Sequence, residues 1–538
     1  MERTNCNAVI TVQKAWYLPG ASLQSMPSYV TVEVRSIACG QWKQSVNLPL
    51  EALTTARLKK ACHFLRTPGK RADLEELDCQ LVEQLQAGLS ADTIERGYYL
   101  DHSGIIQFPD STVRFLAGEE LIPDHCSRSY LCSPNLSDMR LAGDGSTGWE
   151  TMAAELSLAP KPALLTLAYV LLTSVRSLLL ESGIDYAAIL YILGGQGLGK
   201  TTLAKRTAGI YQGPRGEVVG LVQAGSSSAG VESLMASFRD QPVIVDDLCL
   251  SAGRETARQR RETGAKLVRI GAGDVPIVKR FGQQTRETRC CAGIILTAEF
   301  PLENASDLSR CILVPVRKRL DLADTWNPAL IGDMLRCFLN WFSLHHKEAL
   351  GHLSAALAGS DIQESEPRVC TNYNCLRWAF QMFLRSLVSK GMHPARNNQL
   401  SLRMDRAINL ALRQYQLQKE KLDMTIRRGN LPYCILEGYR NKAFHLTKNV
   451  EKLNRHDGIV WKNDLCLRPK ILLAYIRKQP GYQDYTQNRL SMELADLSAL
   501  VLQEENSYTV HIAKSEHGQV PRVYRIKLNA LKKAAQKE

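Results

Sequence analysis

The chain has 538 residues, of which 45% are hydrophobic and 22% are charged. These are the values of globular proteins, and they exclude a mostly disordered, fibrous or low-complexity chain. At roughly 150 residues per domain, the length predicts three or four domains. The 67 lysine and arginine residues outnumber the 54 acidic residues by 13, a surplus that permits a polyanionic partner such as nucleic acid without requiring one.

The cysteines and the apolar segments bear on the cellular compartment. The 15 cysteines form no Cys-x-x-Cys pair, so a zinc site is disfavoured and reduced thiols in the cytoplasm are the simpler interpretation. The first residues lack the apolar core of a signal peptide. The most apolar stretch, Ala163 to Val175, is too short for a bilayer, which needs about 20 residues. We therefore expect a cytoplasmic protein without membrane contact, in which this stretch is a buried helix.

Four regions follow one another along the chain. Residues 1–132 mix strand and helix patterns and predict an N-terminal mixed α/β module. Residues 151–325 alternate helix and strand patterns, which is typical of an α/β domain with a mostly parallel central sheet. Residues 326–450 are rich in helix patterns. Residues 456–538 show two short helices and then two strands that pair across a turn at Gly518, which predicts a winged-helix-like module.

A glycine-rich motif opens the α/β region. It fits the pattern G-x-x-x-x-G-K-[ST], follows the apolar strand 187–193 and precedes a helix that starts near Leu203. This strand, loop and helix order is the arrangement that a phosphate-binding P-loop requires. The predicted ATP-binding residues are Gly194, Gly195, Gln196, Gly197, Leu198, Gly199, Lys200, Thr201 and Thr202.

The residue types in this motif match the chemistry of a nucleotide triphosphate. Glycines allow the loop to turn and bring backbone N–H groups against phosphate oxygens. The start of the following helix adds the positive end of its dipole. Lys200 can reach the β- and γ-phosphates, and the Thr201 hydroxyl is suited to Mg²⁺.

Polar residues lie at the ends of the next two predicted apolar strands. The run Pro242-Val-Ile-Val leads into Asp246 and Asp247, which is the Walker B pattern. We expect Asp246 to hold Mg²⁺ and Asp247 to orient and deprotonate the attacking water. A later apolar strand ends at Thr297, in the segment Gly293-Ile-Ile-Leu-Thr-Ala-Glu.

Basic residues concentrate in two places. Residues 254–289 hold ten lysines and arginines against four acids, between the Walker B strand and the Thr297 strand. Residues 442–538 hold 17 basic residues against 10 acids. Either surplus fits contact with nucleic acid, although a solvated basic loop is the simpler alternative for the first, and winged helices also bind proteins.

The order of these motifs resembles that of AAA+ ATPases of the superfamily 3 and MCM-like helicase kind. More narrowly, it is similar to the helicase-like proteins of phages, plasmids and other mobile elements, with which it shares the segments Leu-Thr-Ala-Glu at 296–299 and Gly-Glu-Glu-Leu-Ile at 118–122. The resemblance covers about 151–325. It implies a homo-hexameric ring, Mg²⁺ and ATP, and movement along DNA. The second acid departs from it, since many ring ATPases carry Glu where this chain has Asp247.

The resemblance also implies roles for further residues. Thr297 would contact the γ-phosphate or the attacking water. Arg310, with Arg289 as the alternative, would reach the γ-phosphate of the neighbouring subunit. Residues 275–282 would form a hairpin in the ring's central pore, where Lys279 and Arg280 grip phosphates of single-stranded DNA and Phe281 stacks on a base.

These inferences predict an ATP hydrolase that acts as a DNA helicase or translocase in the replication of a mobile element, with single-stranded DNA in the pore and duplex DNA on the C-terminal module. An ATP-gated DNA-binding regulator of transposition or partition is the alternative that needs no unwinding. A phage-defence ATPase would share every motif. A small-molecule kinase would leave the basic insertion and the winged helix unexplained.

Overall fold

The structure is a computed structural model that describes residues 7–19, 25–37, 42–67, 70–124, 129–133, 139–184, 186, 188–226, 228–249, 254–273, 276–281, 284–288, 290–359, 362, 366–479, 482–483, 485–497, 499–501, 509–510 and 521–536. The chain divides into two compact units, and the division falls between Tyr415 and Gln416.

Two small sheets form the amino-terminal part of the first unit. Its elements are β1 Ala8–Tyr17, β2 Tyr29–Ser36, β3 Lys43–Pro49, α1 Thr55–Ala61, α2 Arg71–Ser90, β4 Glu95–Leu100, β5 Gly104–Gln107, β6 Val113–Ala117, β7 Glu120–Ile122 and β8 Tyr130–Cys132. The larger sheet has the order β3-β2-β1-β4-β8, with β1 antiparallel to β2 and parallel to β4. The smaller sheet, β5-β6-β7, is antiparallel. Helix α2 packs on β1 and buries Leu81 and Leu85.

The middle of the first unit alternates helices and strands. Its elements are β9 Arg140–Leu141, α3 Trp149–Leu158, α4 Lys161–Thr173, α5 Arg176–Glu181, β10 Ile189–Gly194, α6 Lys200–Ala208, β11 Tyr211–Gln212, β12 Leu221–Gln223, α7 Ser228–Ser237, β13 Arg239–Leu248, α8 Arg254–Gly271, β14 Ile277–Phe281, β15 Gln284–Thr288, β16 Cys291–Ala298, α9 Ala305–Leu308 and β17 Cys311–Val316. Strands β14 and β15 pair as an antiparallel hairpin.

A five-stranded sheet with the order β12-β13-β16-β10-β17 lies at the centre. Each neighbouring pair is parallel, so all strands end at one edge, here the carboxyl edge, and begin at the opposite amino edge. The central parts of β10, β13, β16 and β17 are apolar and buried, as expected for a parallel sheet that is covered on both faces. The sequence-based prediction of an α/β protein with a parallel central sheet is therefore confirmed.

Helix α4 is the buried helix expected from the apolar stretch. All its residues from Pro162 to Thr173 are buried, since it contacts the central sheet on one side and helices on the other. Three long helices follow the sheet, namely α10 Pro328–Ala358, α11 Pro367–Ser389 and α12 Pro394–Gly429. Helix α10 begins after Asn327, whose side chain accepts the N–H of Leu330, and Pro328 occupies the first turn, where its missing N–H has no cost.

Polar contacts of Asp240 and Arg336 connect the sheet β5-β6-β7 to the rest of the first unit. The wholly buried carboxylate of Asp240, at the start of β13, accepts the N–H of Ile105 and both the N–H and hydroxyl of Ser177. Burial raises the pKa of this carboxyl. On the other side, Arg336 of α10 donates two hydrogen bonds to Glu120 of β7, at 2.7 and 2.8 Å.

The second unit contains the end of α12 and a four-stranded sheet. Its elements are α13 Leu431–Arg440, β18 Leu446–Thr447, β19 Gly458–Trp461, β20 Asp464–Leu467, α14 Pro469–Ile476, α15 Gln487–Asp496, β21 Tyr524–Lys527 and α16 Leu528–Gln536. The sheet order is β18-β19-β20-β21, with β21 antiparallel to β20. Two residues with positive φ, Lys462 and Asn463, close the β19-β20 hairpin, as a tight hairpin turn requires.

The predicted pairing after the two helices of this unit lies partly in the described residues. Val510 and Val523 exchange both backbone hydrogen bonds, whereas Gly518 lies outside the described residues. None of the helices that the structure describes combines the length and the apolar character needed to cross a membrane.

Candidate functional site

The glycine-rich motif lies at the carboxyl edge of the central sheet. Strand β10 ends at Gly194, the loop runs through residues 195–199, and α6 begins at Lys200. Gly197 and Gly199 have φ of +73° and +88°, a left-handed conformation that glycine adopts without strain. The loop thus turns back over the start of α6, where the first N–H groups of a helix lack helical acceptors and attract anions.

Lys200 is a nearly buried cation at the start of α6. Its side chain is only 9% exposed, and its Nζ donates to the carbonyl of Gly195 at 2.7 Å. No carboxylate among the described residues forms an ion pair with it. Because a buried ammonium group is costly unless an anion compensates it, this environment fits a bound phosphate group.

Thr201, Asp246 and Thr297 meet behind the loop. The hydroxyls of Thr201 and Thr297 both donate to Oδ1 of Asp246, at 2.8 and 2.6 Å. Three different elements, α6, β13 and β16, supply these side chains, so the three predicted residues converge although 96 positions separate the first from the last. Asp246 is nearly buried, and its second oxygen is a hard ligand of the kind that Mg²⁺ prefers.

A β-bulge places Asp247 beside this cluster. Val245 pairs with Leu296 and Leu248 pairs with Ala298, so two residues of β13 stand opposite the single residue Thr297. Side chains of consecutive strand residues normally point to opposite faces, and a bulge re-aims them. Asp247 has φ of +64°, its N–H donates to the Thr297 hydroxyl at 3.0 Å, and its exposed side chain lines the same cavity as the loop.

This cavity has a volume of about 690 Å³ and includes residues that the sequence analysis missed. Besides the loop, Asp247 and Thr297, it is lined by Glu299, Arg206 and residues 319–322. The last of these belong to a segment, residues 317–324, that follows β17 at the carboxyl edge. Its basic run Arg-Lys-Arg at 317–319 was a possible signal, but the sequence did not show which residue faces the loop.

Hydrogen bonds hold the 317–324 segment against the glycine-rich loop. The N–H of Leu320 donates to the carbonyl of Leu198 at 3.1 Å. Arg206 of α6 donates to the carbonyls of Leu322 and Ala323, and its guanidinium lies 3.3 Å from Asp324. The segment therefore forms one wall of the cavity, and the exposed residue Arg319 is part of that wall.

Arg310 lies away from this cavity. It directly precedes β17, and its carbonyl accepts the N–H of Ile189, the first residue of β10. Arg310 is thus at the amino edge, separated from the loop by the length of a six-residue strand, about 20 Å. Its side chain contacts Ser306. It does not line the cavity of its own chain, so the predicted role requires a neighbouring subunit. The alternative, Arg289, lies outside the described residues.

The predicted DNA-contacting residues fall on the hairpin. Lys279, Arg280 and Phe281 are the last three residues of β14, and Phe281 pairs with Gln284 next to the turn. The structure describes the backbone of this hairpin, not these three side chains. A hairpin thus lies within the basic insertion, but its strands are 277–281 and 284–288, so the predicted range 275–282 covers little more than its first strand. The contact with DNA stays a prediction.

The central sheet, the loop at its carboxyl edge and the inserted hairpin define a mixed α/β fold of the helicase type. The structure is similar to a solved structure described as "SCCmec type IV Cch - active helicase", with a TM-score of 0.53 and 14% sequence identity over 99% of this chain and 96% of that one. Two structures of JCV helicase with bound small molecules align with 52% of this chain and 74% of theirs, at 13% and 14% identity and with a TM-score of 0.20.

No known protein family and no curated protein sequence matches the chain. The likeness to the Cch structure shows a shared fold. It confirms, at the level of the fold, the resemblance to helicases of mobile elements that the motifs predicted.

Proposed function

We propose that this protein is a Mg²⁺-dependent ATPase of AAA+ type that moves along DNA, and that it serves as a helicase or translocase in the replication of a mobile genetic element. The observation that carries the proposal is the convergence of Lys200, Thr201, Asp246 and Thr297 at the carboxyl edge of the parallel sheet, behind an open loop. The residue types fit a triphosphate, and their positions agree with the order of motifs in ring helicases.

The donor set fits ATP and Mg²⁺. Lys200, with no acidic partner in the described residues, would bind the phosphates together with the N–H groups at the start of α6. The Thr201 hydroxyl and the Asp246 carboxylate would hold Mg²⁺, which commonly takes one or two protein oxygens and completes its shell with phosphate and water. The ion would neutralise charge on the phosphates when bound.

In the proposed reaction, water attacks the γ-phosphorus and the bond between this phosphorus and the β–γ bridging oxygen breaks, which leaves ADP and phosphate. Asp247 accepts the proton of the attacking water, because this acid lines the cavity and Thr297 holds its backbone. The Thr297 hydroxyl thereby connects Asp246, the proposed Mg²⁺ ligand, to the backbone of Asp247, the proposed base. Arg310 of a neighbouring subunit and Arg319 of the same chain stabilise negative charge on the phosphates.

The hairpin supplies the proposed contact with DNA. In a homo-hexameric ring, six hairpins would line a central pore, where Lys279 and Arg280 bind phosphates of single-stranded DNA and Phe281 stacks on a base. Closing and opening of the subunit interfaces during hydrolysis would move the hairpins along the strand.

We also propose that the carboxyl-terminal region is a winged helix that contacts duplex DNA. Support comes from the order of elements, in which β20 precedes α14 and α15 and then pairs with β21. The domain boundaries at 1–132, 151–325, 326–450 and 456–538 and the cytoplasmic location remain part of the proposal.

An ATPase assay with and without single-stranded DNA, run beside a sizing measurement with ATP, tests the proposal. We expect hydrolysis that DNA stimulates, assembly into a ring and separation of a forked duplex. ATP and DNA binding without strand separation would favour a DNA-bound regulator of transposition or partition. A protein that neither binds nor hydrolyses ATP with any of these partners would contradict the proposal.

A further inference from the structure

The hairpin formed by β14 and β15 leaves the amino edge of the central sheet at two points. The chain enters it after α8 ends at Gly271, and returns from it into β16, which begins at Cys291. These two points, the hairpin roots, decide how firmly the hairpin is connected to the body of the protein. A pore loop that bears force needs firm roots, since a loose connection would absorb any displacement.

Arg176 of α5 contacts both roots. Its guanidinium donates to the carbonyl of Gly271 at 2.7 Å and to the carbonyl of Ala292. The side chain is 1% exposed, and among the described residues no carboxylate pairs with it. The ring of Tyr186 lies 5.8 Å from the guanidinium carbon.

Burying the charged guanidinium of Arg176 lowers the stability of the fold unless a countercharge compensates it. A buried charge normally needs a paired countercharge, whereas the contacts of Arg176 within the described residues are with carbonyl oxygens and an aromatic face. One of these carbonyls ends α8, where the helix dipole places partial negative charge. The planar guanidinium has several donors in fixed directions, and here its two terminal nitrogens each donate to a different carbonyl. Arg176 therefore holds both hairpin roots together.

The first root also lies directly on the sheet. A Cβ atom at Gly271 would stand 2.7 Å from Ile189 and 2.8 Å from Ile294. The end of α8 therefore packs on β10 and β16 more closely than any other residue type allows.

A second arginine connects α8 to the helix before Arg310. Arg269 donates from Nε and Nη2 to the two carboxylate oxygens of Asp307, at 2.8 and 3.2 Å. Asp307 is nearly buried. Its own carbonyl accepts the N–H of Arg310 at 3.2 Å. One residue of α9 thus contacts both the helix that leads into the hairpin and the backbone of the proposed arginine finger.

We propose that Arg176 and Arg269 are positioning residues that hold the hairpin and Arg310 as one rigid body at the amino edge. Arg176 fixes the hairpin roots, and the two-bond pair of Arg269 with Asp307 fixes α8 to α9. A displacement of the hairpin by DNA is then transmitted to Arg310, which acts at the ATP of the neighbouring subunit. This inference rests on the roles proposed above for the hairpin and for Arg310.

The test compares ATP hydrolysis with and without single-stranded DNA in R269Q, D307N and the double variant. In each single variant, we expect the ratio of hydrolysis rates with and without DNA to fall at least roughly fivefold. The affinities for a non-hydrolysable ATP analogue and for DNA should stay unchanged. The double variant should lose no more than either single variant, because both remove the same interaction. R269K keeps the charge without the two-bond geometry and should recover only part of the stimulation.

The control is K266Q, which removes a different cation of α8. Lys266 pairs with Glu232 of α7 at 2.6 Å, and α7 leads to neither the hairpin nor Arg310, so stimulation should remain. If R269Q and D307N both keep the stimulation of the original protein, the inference is wrong while the proposed function stands. If the original protein shows no stimulation by DNA, the proposed function is wrong and the inference falls with it.

The roots are tested separately by hydrogen exchange in R176K, which keeps the charge but carries all its donors on one nitrogen, whereas Arg176 reaches the two carbonyls from two nitrogens. Amides of β14 and β15 should exchange at least roughly tenfold faster, with unchanged exchange in β10 and β13. Unchanged exchange of the hairpin would contradict the role of Arg176.

Discussion

The two edges of the central sheet differ in what their polar groups do. At the carboxyl edge, polar side chains surround an open cavity, and several of them keep an oxygen or a cation available to a ligand. At the amino edge, polar groups are buried and consumed by contacts within the protein, such as those of Asp240 and Arg176. In the proposed function, the carboxyl edge binds ATP, and the amino edge connects the hairpin and Arg310 to the central sheet.

The most damaging change at the carboxyl edge should be Lys200→Ala. We expect hydrolysis to fall below detection and ATP affinity to drop at least roughly 100-fold, because the phosphates lose the cation buried beside them. Lys205→Ala, one turn further along α6 and away from the cavity, should be nearly neutral. The measurement is steady-state hydrolysis with binding of a fluorescent ATP analogue, and full activity of Lys200→Ala would refute the nucleotide site.

Alanine variants of Arg310 and Arg319 distinguish an arginine that acts on the neighbouring subunit from one that acts within its own chain. Arg310→Ala should lower hydrolysis roughly 10³-fold, as expected for a finger supplied by a neighbour, and Arg319→Ala roughly tenfold. Mixing Arg310→Ala with Lys200→Ala protein should restore activity, because Lys200→Ala subunits still offer Arg310 to intact sites.

Mixing Arg319→Ala with Lys200→Ala protein should restore nothing, since Arg319 serves its own chain. Lys318→Ala is the matched control, because Lys318 is exposed but does not line the cavity. Restoration in both mixtures, or in neither, would contradict the division between the edges.

The Asp247→Asn variant tests whether Asp247 is the base that accepts the proton of the attacking water. Asparagine tolerates the left-handed backbone at this position, so the fold should persist while hydrolysis falls at least roughly 100-fold. ATP binding should remain, in contrast to Lys200→Ala. Single-turnover hydrolysis beside equilibrium binding distinguishes the two, and an Asp247→Asn protein with normal turnover would assign the base elsewhere.

The smallest effect on catalysis should come from Asp240→Ala at the amino edge. The change leaves three buried donors from Ile105 and Ser177 without an acceptor, which should lower the free energy of unfolding by about 3 kcal/mol. Glu181→Ala removes only the exposed partner of Arg239 and should cost less than about 1 kcal/mol. Denaturant unfolding measures both, and equal midpoints for the two variants would show that Asp240 is not a structural anchor.

The sequence predicted most of the carboxyl edge and little of the amino edge. Lys200, Thr201, Asp246 and Thr297 lie in short motifs whose apolar strands are visible, so parallel topology brings them together. The bulge at Asp247 has no comparable signal, because the sequence shows two consecutive acids in either case. Arg176 and Asp240 were missed since their partners lie 63 to 135 positions away, and a fully buried arginine looks in sequence like any surface cation.

The left-handed backbone at residue 247 restricts which acid can occupy it. Aspartate and asparagine accept positive φ far more readily than glutamate does, and other side chains cost roughly 1–2 kcal/mol there. A glutamate would reach one methylene group further into the cavity but would strain the main chain. The shorter acid at this position is therefore the one that fits the local geometry of the strand, and the longer acid common in ring ATPases would add backbone strain to the bulge.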